Sequence, residues 1–140
     1  MDPILGQIIL WPGTFIPEGW AECDGSVLQI QQYQALYSLI GNTYGQHSST
    51  TFALPDLRGR VPVGLDAAGV HLSTARSMGA GGGASSYSTT IGAQAPQAPA
   101  PAGSPVVLTL ATGQITVPTV PPYLTLRYII ATTGIYPSRP

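Results

Sequence analysis

The sequence predicts a mainly β domain with one short α-helix, an α+β fold. Most apolar residues occur in short runs that end at glycine or proline, and the 140-residue chain contains 17 Gly and 14 Pro. Apolar residues recur at helical spacing in one stretch, residues 31–40. A chain of this length is expected to form one domain around a modest core.

The first strands are predicted from short apolar runs that end at turns. Residues 5–11 form the first run, which stops at Pro12 and Gly13. A second run, residues 20–23, alternates and stops at Asp24-Gly25, a pair that favours a β-hairpin. The strand after that turn would be carried by Val27, Leu28 and Ile30.

The helix is predicted over residues 31–40. Its apolar positions follow the i, i+3, i+4, i+7 pattern of one helix face: Tyr33, Leu36, Tyr37 and Ile40. Gly41 stands where a left-handed C-cap residue is expected. Since so short a helix is unstable alone, it is expected to dock on the strands.

Residues 50–64 are predicted to form a strand, a turn led by Pro55, and a second strand. Asp56, Arg58 and Arg60 fall here, in a chain with only five Lys or Arg and six Asp or Glu residues. Neighbouring arginines offer planar donor groups that can hold carboxylates and loop carbonyls. Two interpretations are open: charges paired inside the structure, or a surface turn with ordinary exposed arginines.

The composition changes between residues 79 and 119, which are rich in Gly, Pro and Ala. Strand-like patches occur at 87–91, 106–110 and 114–117, so a loop-rich β insertion that forms a distal tip is predicted. Residues 1–78 and 120–140 would then form the core. Its last strong strand, within residues 121–131, ends in a run that is apolar on both faces, as in a central strand.

Charged residues make up 8% of the chain, against roughly 25% in typical domains. Since 44% is hydrophobic, the chain suits a membrane protein, an aggregating chain or a subunit of an assembly. No apolar run approaches the roughly 20 residues of a spanning helix, so an obligate oligomer without membrane insertion is favoured. The net charge of −1 argues against nucleic-acid binding.

The N-terminus lacks the features of a signal peptide, so synthesis in a cytoplasm is expected. Cys23 is the single cysteine and cannot form an internal disulfide. It is predicted to be a buried, inert thiol. His47 and His71 have no carboxylate or nucleophile at a suggestive spacing, and no catalytic motif occurs. The sequence therefore predicts neither an enzyme nor a cofactor.

Several segments resemble the phage tail collar domain family, which includes short tail fibres and the microcystin-dependent proteins. The most distinctive matches are Pro17-Glu18-Gly19-Trp20-Ala21-Glu22-Cys23-Asp24-Gly25 and Leu54-Pro55-Asp56-Leu57-Arg58-Gly59-Arg60-Val61-Pro62-Val63-Gly64. Further matches lie at 5–8, 11–13, 34–41, 43–45, 51–53, 122–130 and 134–138. Together they cover roughly the first 65 and last 20 residues, in the order of the family.

The resemblance implies a homotrimeric structural protein of a phage virion tail or a related contractile injection apparatus. It would act as a fibre, tip or baseplate-attached piece at the host-facing end, in contact with other tail or baseplate proteins. Four charged residues would lock the collar fold or its subunit contacts: Asp56, Arg58, Arg60 and Arg127. The alternative is an adhesin that binds a host surface glycan or protein through residues 79–119, with Tyr87, Gln94 and Gln97 as candidate ligand-binding residues.

One departure from the family concerns metal binding. Members often carry a Met-Pro-x-His-x-His segment after the glycines, and such a histidine pair can hold a metal on the threefold axis of a short tail fibre. Aligned on Pro96, the two histidine positions are Ala98 and Ala100 in this chain. A methyl group cannot replace imidazole as a ligand, so no metal is predicted there.

Overall fold

The computed structural model describes residues 2–45, 48–71, 74–91 and 113–138. Its elements, in chain order, are β1 (Ile8–Trp11), β2 (Trp20–Glu22), β3 (Val27–Gln29), α1 (Gln34–Ile40), β4 (Thr51–Ala53), β5 (Ser86–Ile91), β6 (Gly113–Pro118) and β7 (Arg127–Ala131). The predicted class, mainly β with one short helix, is confirmed. The chain divides into two compact units, Met1–Gly81 with Leu124–Pro140, and Gly82–Tyr123.

The first unit contains a three-stranded antiparallel sheet in the order β1-β7-β2. Ile129, Ile130 and Ala131 of β7 are all buried, and this confirms the central strand predicted from its apolar run. The ends of the unit are joined beside this sheet by a parallel bridge between Ile4 and Ile135. The backbone N–H of Leu5 donates to the Ile135 carbonyl at 2.9 Å.

The prediction of a β-hairpin at Asp24-Gly25 is wrong, because the strands before and after this turn do not pair with each other. A turn forms there: the Ser26 N–H donates to Asp24 Oδ1 at 2.9 Å, and Gly25 has φ +79°. The strands on its two sides belong to different sheets, because β2 pairs with β7 whereas β3 pairs with β4. Long-range pairing with the apolar β7 strand thus prevails over the local turn signal.

Helix α1 is shorter than predicted, since it begins at Gln34 rather than residue 31. Tyr33 is the N-cap and makes no side-chain capping bond. Gly41 ends the helix and donates its N–H to the Tyr37 carbonyl at 2.8 Å. Its φ of +55° is positive as predicted, but its ψ of −137° lies outside the left-handed helical region.

The helix covers the β3–β4 pair through a small core. Leu36 and Phe52 are fully buried, and the rings of Tyr37 and Phe52 lie 5.4 Å apart with a 54° tilt. The buried cluster comprises Leu5, Cys23, Leu36, Phe52, Leu54 and Ile130. Residues from both sheets and the helix therefore share one core.

The second strand predicted within residues 50–64 does not form. The chain has no regular secondary structure over residues 60–65, and the side chains of Val61 and Val63 are 82% and 63% exposed. Pro62 cannot donate to a ladder, and no strand of the described residues lies beside this segment to pair with it. A bridge between Asp66 and Arg76 closes the loop that follows.

The second unit contains the antiparallel hairpin pair β5 and β6, with a register from Ser86↔Pro118 to Ile91↔Gly113. Two of the predicted strand patches, 87–91 and 114–117, fall within these strands, and both predictions are confirmed. The third patch, 106–110, lies outside the described residues. The unit overlaps the predicted insertion at residues 79–119.

Candidate assembly site

The turn at residues 55–60 is held against the β2 end of the sheet by backbone bonds. The Gly25 N–H donates to the Pro55 carbonyl at 3.3 Å, and the Leu57 N–H donates to the Cys23 carbonyl at 2.9 Å. The two bonds flank an isolated antiparallel β-bridge between Asp24 and Asp56. The Pro-led turn thus presents the charged side chains from a fixed backbone.

Asp56 and Arg58 form a bidentate ion pair. Arg58 Nε donates to Asp56 Oδ1 at 2.9 Å, Nη2 donates to Oδ2 at 3.0 Å, and the Arg58 backbone N–H adds a bond to Oδ1 at 3.2 Å. The guanidinium bonds of Arg58, then its backbone bond, lower the pKa of Asp56 to about 2. The carboxylate is therefore ionised throughout the neutral range.

This pair is open to solvent in the single chain. The side chains of Arg58 and Asp56 are 65% and 40% exposed. The charges are paired, as the first of the two sequence interpretations predicts. However, the chain itself does not bury the pair. Arg60 has no carboxylate partner within salt-bridge distance in the part of the chain that the structure describes. Its guanidinium instead lies beside Gly81.

Arg127 forms a second ion pair close to the first. Its Nη1 donates to Glu22 Oε2 at 3.3 Å, across the β2–β7 pair, and both side chains are partly exposed. Arg58 and Arg127 line the same open groove, of about 280 Å³, together with Glu22, Cys23, Leu57 and Tyr128. The structure thus brings together three of the four predicted assembly residues, Asp56, Arg58 and Arg127.

Cys23 lies at the base of this groove with only 1% of its surface exposed. Burial, and then the nearby carboxylates of Asp24 and Glu22, raise its pKa to about 12. The thiol is therefore protonated at neutral pH and is a poor nucleophile.

Sequence reasoning missed a run of exposed apolar side chains among the described residues between 61 and 78 (61–71 and 74–78), here called the apolar arm. Its large members are between 59% and 82% exposed: Val61, Val63, Leu65, Val70 and Met78. Isolated exposed apolar residues are normal, but a run of them along one segment indicates an interaction surface. The sequence signal that could have found it is the recurrence of apolar residues among the small and polar residues after Arg60, with no strand or helix period to direct them into a core.

The remaining candidates divide between the described and undescribed parts of the chain. Tyr87 lies on β5 with 54% of its surface exposed. Gln94 and Gln97, and the two alanines at the family's histidine positions, Ala98 and Ala100, lie outside the described residues, as does His47. Among the residues that are described, no group of three His, Cys, Asp or Glu side chains is placed to hold a metal.

Comparison with known protein families finds a match to part of the first unit. Residues 6–62 match the family model described as Phage Tail Collar Domain, and the predicted resemblance is confirmed over that segment. This segment is thus similar to phage tail collar domains. The matched segment includes β1 to β4, α1 and the Asp56–Arg58 pair.

A curated relative matches part of the chain. Protein RhiB from Rhizobium leguminosarum bv. viciae is 42% identical over 55 residues, which are 37% of this chain and 25% of RhiB. The match spans about a quarter of that relative. Within the described ranges, no helix has both the length and the apolar character needed to cross a membrane.

Proposed function

We propose that this protein is a structural component of a phage tail or a related contractile injection apparatus, and that it works as a homotrimer at the host-facing end. The collar match over residues 6–62 carries the proposal. Its partners would be two copies of itself and other tail or baseplate proteins, and it would reside in the tail of the virion or particle.

Two features of the structure support assembly. The apolar arm leaves large side chains in water, and burying apolar surface contributes roughly 25 cal/mol per Å². The Asp56–Arg58 and Glu22–Arg127 pairs are already neutralised within the chain, so a neighbouring copy can cover the groove without leaving an unpaired charge buried. Both features suit a surface that is hidden in the assembled particle.

The mass in solution tests this proposal. Light scattering on the purified chain should give three times the 14.5 kDa mass of one copy. A single-copy mass at micromolar concentration would contradict the homotrimer. Electron microscopy of particles carrying a tagged copy would then test the location, with label expected at the host-facing end.

A second candidate function is adhesion through residues 79–119. Tyr87 supports it, because an exposed aromatic ring on a strand is a common platform for a sugar. Binding to a glycan array should then disappear when residues 80–119 are deleted. It should also disappear in the Tyr87→Ala variant. Tyr123→Ala, which removes another exposed tyrosine outside the strands, should retain binding. Binding that survives the loss of Tyr87 would count against this function.

A further inference from the structure

The β5–β6 pair has one apolar and one polar face. In the observed register Tyr87 is opposite Val117, and Ile115 lies two positions before Val117, so all three side chains share a face. Ser88 is opposite Thr116 on the other face, with their hydroxyl oxygens 3.3 Å apart. Tyr87 and Ile115 are 54% and 47% exposed. The apolar face is thus largely open in the single chain.

A hairpin of this kind needs a further layer. Two strands alone are marginally stable in water, and a third strand or a packed face is generally required. Among the described residues, β5 and β6 pair only with each other, so each strand also has an open edge. Natural edge strands usually carry charged side chains that prevent pairing with other chains.

The composition of this region indicates what covers the face. Residues 77–126 contain no Asp, Glu, Lys, Arg or His. A charged partner would find no complementary group here, whereas an identical neutral face meets no like-charge repulsion. In a threefold assembly the same face of each copy can meet the other two around the axis, and an uncharged apolar face brings no unpaired charge into that contact.

We infer that the apolar faces of the β5–β6 hairpins from neighbouring copies of this chain pack against one another. Tyr87, Ile115 and Val117 form the contact, and the hydroxyl face of Ser88 and Thr116 remains outside. This inference rests on the proposed homotrimer and adds a self-association element outside the collar match at residues 6–62.

Single cysteines on the two faces test the inference in the full-length chain. Cys23 is buried and gives a low background, so its thiol can stay. Tyr87→Cys, Ile115→Cys and Val117→Cys probe the apolar face, and Ser88→Cys and Thr116→Cys are the matched controls. Treatment with a short bis-maleimide should convert most of the apolar-face variants to cross-linked dimers on a denaturing gel, with little product from the controls.

The other outcomes separate this inference from the proposed homotrimer. A multi-copy mass with no cross-linking, or with equal cross-linking on both faces, overturns the hairpin contact and leaves the homotrimer standing. The same holds if the apolar-face cysteines react with a monofunctional maleimide as fast as the controls do, without cross-linking, since that face would then be open to solvent. A single-copy mass without cross-linking overturns both.

Discussion

Arg58 holds the Asp56 carboxylate by two side-chain bonds, and the Arg58 backbone adds a third. Exposed ion pairs contribute little to the stability of a single chain, because water screens them. The fixed geometry matters more, since it presents a neutral, planar pair beside the groove that also contains Arg127. We therefore propose that the pair serves subunit contacts rather than the stability of the isolated fold.

The pKa of Asp56 should depend on Arg58. Its folded value of about 2 lies below the ordinary value of 3.8, so the stabilising contribution is present above pH 3.8 and is lost as the pH falls towards 2. Carboxyl-detected NMR titration should show Asp56 returning towards 3.8 in Arg58→Ala. Arg127→Ala, which removes the other arginine of the groove, should leave Asp56 unchanged. An ordinary Asp56 pKa in the unaltered protein would contradict the ion pair.

The ion pair could be predicted from sequence because its members are two residues apart on a Pro-led turn. The solvent exposure of the pair could not be predicted from sequence, because exposure depends on what packs over the turn. The contact between Arg127 and Glu22 was equally out of reach, since it joins residues that meet only after β2 and β7 pair. The sequence thus allowed the local ion pair to be predicted, but not the contact between residues that lie far apart in the chain.

At the scale of elements, helix α1 depends on one buried side chain. Leu36 is fully buried, whereas Leu39, on the same helix, is 40% exposed. Leu36→Ala should lower the free energy of unfolding by about 2–5 kcal/mol through the cavity it leaves. Leu39→Ala should cost roughly 1 kcal/mol. Denaturant unfolding at one protein concentration measures both, and equal losses would show that Leu36 does not dock the helix.

The parallel bridge between Ile4 and Ile135, which joins the two end segments of the first unit, depends on Gly134. It has φ +147°, and a Cβ there would overlap the carbonyl oxygen of Pro3, which accepts a bond from the Ile135 N–H. Gly134→Ala should therefore lower the free energy of unfolding by about 1–3 kcal/mol. Gly64→Ala is the control, since nothing lies within 4 Å of its added Cβ. A Gly134→Ala variant as stable as the control would contradict the observed bridge.

The sheets show why element prediction and pairing prediction differ. The short runs at residues 20–22 and 27–29 form strands as expected, because period and turn residues are local signals. Their partners are β7 and β4, which the Asp24-Gly25 turn could not reveal. The segment after Arg60 stays irregular for the converse reason. Its apolar pattern suits a strand, but no strand within residues 2–45, 48–71, 74–91 and 113–138 pairs with it.

For the whole molecule, the proposed assembly would explain both the scarce charge and the exposed apolar arm. With five Lys or Arg and six Asp or Glu residues, the chain has few groups with which to keep a large surface in water. The arm then becomes the most direct place to test whether copies cover one another, because Val63 extends from it with 63% of its surface exposed.

Val63→Asp should dissociate the assembly, because burying an unpaired carboxylate between copies is strongly unfavourable. Light scattering should show the mass falling to one copy, and trypsin should then cut after Arg60, just before the arm, and after Arg76, within it. Phe15→Asp is the matched control, since Phe15 is 70% exposed but lies outside the arm. If Val63→Asp keeps the full mass and the protease resistance of the unaltered protein, the arm does not lie between copies. Dissociation by both variants would extend the contact surface to the loop around Phe15, and dissociation by Val63→Asp alone would confine it to the arm.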